Sequence, residues 1–172
     1  PWIRLEHGRS RLALEGTALG YPGTMDLEVS VSDVRLFPED IRKLLPERRV
    51  VRNVQAIISD LQVYANGTVT PIRNPDGSMT SMVLDTRSTF DLSSNAGLIS
   101  GTLSLKGSPS DTLRHEVSVR LEEVDAYPWT QKARWHTSAN GYLSASGALW
   151  NSNQFETAIN ARLSPVSMDR RR

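Results

Sequence analysis

Hydrophobic and polar residues alternate with a period of two along most of the chain, and neighbouring side chains on a strand point to opposite faces. Met25, Leu27, Val29 and Val31 therefore share one face against Asp26, Glu28, Ser30 and Ser32. Leu113, Val117, Val119 and Leu121 oppose Arg114, Glu116, Ser118 and Arg120, with His115 on the apolar side near the strand start. Phe155, Thr157, Ile159, Ala161 and Leu163 oppose Glu156, Asn160 and Arg162. Further strands are predicted near residues 10–18, 50–70, 79–92, 97–106 and 140–150. The predicted fold class is mainly β: a curved antiparallel sheet, either an open groove or sandwich-like, with one or two short helices.

Three turn pairs, Asn66-Gly67, Asp76-Gly77 and Asn140-Gly141, punctuate these strands, because they tolerate the positive φ of tight hairpin turns. Most connections should then be hairpins. Between Val50 and Val69 the register changes, from Val54, Ala56 and Ile58 to Leu61, Val63 and Ala65, as a bulge or kink would produce. The text from Pro38 to Leu45 predicts a short helix, with a proline in the first turn, the acids Glu39 and Asp40 near its start and a stop at Pro46. A second candidate helix follows Pro128 through Trp135, though its two tryptophans serve equally as packing anchors. The two places align: Asp33-Val34 through Phe37-Pro38 corresponds to Glu123-Val124 through Tyr127-Pro128, 90 residues later. Either this is chance in a strand-rich chain or it marks two copies of a sheet-to-helix unit.

With 172 residues, 38% apolar and 23% charged, and a formal net charge of +1, the profile is that of an ordinary folded chain, long enough for one core. We read residues 1–172 as a single β-rich domain and, since the text opens inside a strand-like pattern at Trp2-Ile3-Arg4-Leu5-Glu6, as a segment of a longer protein. The absence of cysteine removes disulfides, thiolate metal sites and a cysteine nucleophile, but leaves the compartment open. The runs Arg48-Arg49 with Arg52 and Arg170-Arg171-Arg172 lack the interleaved aromatics that stack on bases, so no nucleic-acid partner is expected.

A search for chemistry returns little. His7, His115 and His136 are widely separated and have no paired carboxylates at metal-ligand spacing, so no metal and no cofactor is expected. Gly16-Thr17-Ala18-Leu19-Gly20 lacks the lysine and helix of a phosphate loop, and there is no Gly-x-Ser-x-Gly elbow. Glu122 and Glu123 should face opposite ways on a strand, and Glu39-Asp40 reads as helix N-terminal charge, so neither pair can share acid–base work. Asn66-Gly67-Thr68 fits a glycosylation acceptor but reads better as a turn. No catalytic residue is assigned, and an enzyme is not expected.

The glycine-spaced text from Gly97 to Gly107 and from Ala139 to Leu149, together with Asp26 to Val34 followed by a short helix, resembles the AsmA-like family of inter-membrane lipid transport proteins. The resemblance covers most of the chain through weak motifs, and the sequence departs from the family in lacking a membrane anchor and in carrying many charges from Arg114 to Glu123. It implies a periplasmic β-groove segment, in a parent protein anchored in the inner membrane, that binds or conducts phospholipid between inner and outer membranes. It also implies contacts with envelope proteins through the rest of the parent chain. The residues expected to face acyl chains are Met25, Leu27, Val29, Leu103, Leu105, Val117, Val119, Leu121 and Ile159. Alternation alone reports one apolar face and not what covers it. The same text therefore fits a structural or adhesive β-sandwich module that binds a protein partner, or a carbohydrate-binding domain with Trp2, Trp129, Trp135 and Trp150 as a stacking platform.

Overall fold

A computed structural model describes residues 2–44, 55–131, 137–150 and 154–164. Nine strands follow one another in space as in sequence: β1 (Trp2–His7), β2 (Ser10–Leu19), β3 (Met25–Arg35), β4 (Ile58–Arg73), β5 (Met79–Ser94), β6 (Gly97–Gly107), β7 (Thr112–Val124), β8 (Ala139–Trp150) and β9 (Gln154–Leu163). All neighbours pair antiparallel in a single sheet that is not closed into a barrel. Two connections depart from simple hairpins. A helix α1 (Pro38–Leu44) leads from β3 towards β4, and a single turn α2 (Tyr127–Thr130) leads from β7 towards β8.

The alternation becomes rows that run across the sheet, because directly paired residues share a face. One row reads Val29, Ala65, Ser88, Leu103, Val117, Ala145, Ile159 from β3 to β9. The next reads Val31, Val63, Phe90, Gly101, Val119, Leu143, Ala161. The opposite face carries Asp26, Glu28, Asp85, Arg87, Lys106, Arg114, Glu116 and Arg120, tied in places by cross-strand contacts such as Lys106 Nζ to Asp85 at 2.8 Å and the Tyr64 hydroxyl donating to Glu28 at 2.9 Å.

Several expectations change here. Asn66-Gly67 and Asn140-Gly141 are not turns: the first lies inside β4 and the second inside β8, whereas Asp76-Gly77 does turn the chain between β4 and β5. Asn66 and Gly67 have strand partners on both sides, Glu28 and Leu27 in β3 and Arg87 and Thr86 in β5, so two ladders of backbone hydrogen bonds outweigh a local turn preference. The expected kink before Val69 appears as a register shift between Ile58 and Asp60; Val50 and Val54 lie outside the described residues. The two glycine-spaced strands β6 and β8 flank β7. The second helix is one turn, with Trp135 and His136 outside the described residues. A sandwich is ruled out for the described residues, since one sheet holds every strand.

The 90-residue correspondence has a backbone counterpart. Asp33 and Glu123 both take left-handed conformations, with φ of 51° and 52°, at the ends of β3 and β7. Each shifts the pairing register just before a proline-led helix. The two sheet-to-helix units are thus equivalent four strands apart. An L-residue with a Cβ pays about 1–2 kcal/mol in this region, and the Glu123 side chain is exposed. Glu123→Gly should therefore raise the unfolding free energy by about 0.5–1 kcal/mol, and the β-branched Glu123→Val should lower it by about as much or more, as read from urea midpoints.

Three of the five buried apolar residues among those described, Val34 (0% exposed), Ala96 (1%) and Ala56 (4%), lie at the helix-bearing end of the sheet. There α1 is tied to the β1–β2 turn. Asp40 Oδ2 accepts hydrogen bonds from Arg9 N (2.9 Å), Ser10 N (3.0 Å) and Ser10 Oγ (2.9 Å), while Ser10 Oγ accepts from Phe37 N (2.9 Å). The Ser10 hydroxyl, opposed by burial and helped by the Arg9 and Ser10 amides and by the Lys43 charge, holds the Asp40 carboxyl below its ordinary pKa. A depressed folded-state pKa contributes stability that is complete above the unfolded value and is lost as pH falls through the folded one. Asp40→Ala should lower the urea midpoint at pH 7, and the gap to the unaltered protein should close as the pH drops below about 4.

Candidate functional site

All nine residues expected from sequence to face a ligand lie on one face of the sheet. Met25, Leu27 and Val29 come from β3, Leu103 and Leu105 from β6, Val117, Val119 and Leu121 from β7, and Ile159 from β9. Their registers run through Val69, Gly67 and Ala65 in β4, through β5, and on through Ala145 in β8. The sequence reading did not include the residues that fill the rows between them: Val63, Leu84, Phe90, Leu92, Ile99 and Leu143 belong to the same face.

This face is half-buried rather than buried, and the alternation holds even where the residue is polar. Thr86 and Ser88 are partly covered while their neighbours Asp85, Arg87 and Thr89 are exposed. Neighbouring side chains on this face therefore crowd one another more than those on the other face. Glycine placement gives the reason. Gly16, Gly67, Gly101, Gly107, Gly141 and Gly147 all pair into the apolar rows, so the side with less side-chain volume is the side toward which the sheet can bend. At Gly101 an added Cβ would run into the Ser118 carbonyl and lie 2.7 Å from the Phe90 ring. Greater coverage on the apolar side and glycines in its rows are what a sheet bent toward that side gives.

Nothing among the described residues covers that face. A hollow of about 240 Å³ opens on it between Leu27, Val29, Ala65, Leu103 and Leu105. Several hollows on the polar face are larger, one of about 620 Å³ beside Lys106, Arg114 and Glu156, but their charged linings suit water and ions. At a strand spacing of ~4.8 Å, nine strands put roughly 38 Å between β1 and β9 along the rows. Exposure rises at the two edges, where Ile3 is 52%, Leu5 58% and Ile159 72% exposed.

Among the described residues no group of three His, Cys, Asp or Glu side chains converges. Glu122 lies on the polar face beside Arg120 (2.7 Å) while Glu123 sits at the register shift. The three described tryptophans of the expected platform lie apart: Trp2 in edge strand β1, Trp129 in α2 at one end of the sheet, and Trp150 at the end of β8 at the other; Trp135 lies outside the described residues. The arginines at 48, 49, 52 and 170–172 lie outside the described residues. No helix is long and apolar enough to cross a membrane. Compared with protein-family models, curated proteins and solved structures, the chain matches none.

Proposed function

We propose that the concave apolar face is a groove for the acyl chains of phospholipid, and that the chain is a β-groove segment of an AsmA-like protein acting in the periplasm between inner and outer membranes. The observation that supports this most is the apolar face running from β3 to β9 with no second layer over it among the described residues. A face that belonged to a closed core would be sealed by its partner sheet. Here each covered side chain is worth about 1.5–3 kcal/mol only when something else supplies the cover. An extended acyl chain lying along the rows would supply it without any change in the sheet, leaving the polar outer face in water.

The charges that depart from the family pattern, from Arg114 to Glu123, support the same reading, because Arg114, Glu116, Arg120 and Glu122 all lie on the outer face. They solubilise the outside of a groove and leave its lining apolar. The test is native mass spectrometry and lipid extraction of the protein purified from bacterial envelopes under mild conditions. Bound phospholipid at one or more per chain is expected. Lipid-free protein that also fails to take up an apolar fluorophore would reject the reading.

A further inference from the structure

One row of the concave face differs from the others. It reads Leu27, Gly67, Thr86, Leu105, His115, Gly147, Thr157 from β3 to β9, flanked on one side by the row of Val29, Leu103 and Val117 and on the other by Met25, Val69, Leu84 and Leu113. Three of its members carry hydrogen-bonding groups, all half-buried on an otherwise apolar surface. Two of them meet. His115 Nε2 lies 3.0 Å from Thr157 Oγ1 although β8 runs between their strands. The imidazole reaches across because the intervening residue, Gly147, has no side chain, and a Cβ there would strike the Glu156 carbonyl.

Given the groove reading above, on which this rests, we infer that this row fixes the polar end of the bound acyl chain: the carbonyl-bearing group, ester or carboxylate, sits against His115 and Thr157. The chemistry follows from the donors and acceptors available. A hydroxyl offers one donor and two acceptor lone pairs; with the imidazole Nε2–H donating to Thr157 Oγ1, the tautomer this arrangement requires, the contact uses one lone pair and leaves the hydroxyl proton to donate. Thr157 therefore still has a hydrogen-bonding site to present to the groove. A purely hydrocarbon occupant would leave that capacity unmet in an apolar setting, which is unfavourable. A carbonyl oxygen beside the pair meets it, while the methylene tail extends over the neighbouring apolar rows. The pair thus fixes where the head lies, at the β7–β9 part of the polar row.

The test measures three ligands on the intact chain and on Thr157→Val, Thr157→Ser and His115→Leu: N-phenylnaphthylamine as an apolar probe, myristic acid, and methyl myristate, the last two by displacement of the probe. Valine keeps the branched shape that suits a strand, and far-ultraviolet circular dichroism confirms that each variant folds. Thr157→Val and His115→Leu should bind the probe as the parent does but lose about tenfold in affinity for the acid and the ester, the scale of one hydrogen bond to a charged or strongly polar group, with Thr157→Ser restoring it. Loss for the acid alone would identify a free carboxylate as the occupant, and loss for both the shared carbonyl. Unchanged acid and ester affinities in the variants, with probe binding intact, would overturn the inference and leave the groove standing. A parent chain that binds no probe would overturn both.

Discussion

Leu103→Glu should leave the sheet folded and strip it of lipid. Leu103 sits near the middle of the concave face, with Ser88 and Val117 as its cross-strand partners, and is only half-buried. In the unliganded protein a carboxylate there remains open to water, so the usual cost of burying a charge does not arise, and stability should change by no more than about 1 kcal/mol. With an acyl chain in the groove the same carboxylate must be dehydrated or must exclude the chain. Loss of the apolar contact alone is worth about 1.5–3 kcal/mol, so phospholipid affinity should fall about ten- to a hundredfold. Lipid recovered per chain measures the effect, and the urea midpoint measures the control. A variant that unfolds instead would mean that the face is sealed against another part of the protein.

Gly101→Val, two residues away on the same strand and the same face, should do the opposite. No charge is introduced, yet a Cβ at Gly101 collides with the Ser118 backbone and with the Phe90 ring that lies across it. The obstruction falls between β5, β6 and β7, where the sheet has no free edge to yield. Overpacking of this kind costs about 3 kcal/mol, enough to unfold a sheet with few fully buried residues. Gly101→Val combined with Phe90→Ala should recover only the part due to the ring, because the carbonyl contact remains. The urea midpoints of the two variants separate these contributions. Together the pair distinguishes a face whose polarity is open to change from one whose shape is not.

Most of the strands were legible because alternation is a property of each strand by itself. Met25 to Val31 and Leu113 to Leu121 name their apolar face without reference to any neighbour. The helix after Pro38 was legible for the same local reason. Asn66-Gly67 and Asn140-Gly141 misled because a dipeptide carries a turn preference in isolation, while the pairing that overrides it comes from strands up to 40 residues away. A signal was present: Ala65, Gly67 and Val69 continue the alternation straight through the supposed turn. The Asp40 bonds to the β1–β2 turn gave no such signal, since they join residues 30 apart with no spacing rule between them.

The site was legible as a set of residues but not as a surface. The nine residues expected to line a groove are brought together on one face by the register, yet no single strand says whether that face is covered. That depends on the number of sheets. The polar row is a further step removed, because His115 and Thr157 meet only when the registers of β7, β8 and β9 are known and Gly147 is seen to lie between them.

The most direct test of the groove places a photo-crosslinking amino acid at neighbouring positions that face opposite ways, Val117 and Ser118 in β7 and Leu103 and Ser104 in β6, in the protein expressed in a bacterial envelope. Irradiation should yield phospholipid adducts at 117 and 103 and none at 118 and 104. Equal labelling of both faces, or adducts to protein alone at 117 and 103, would contradict the account.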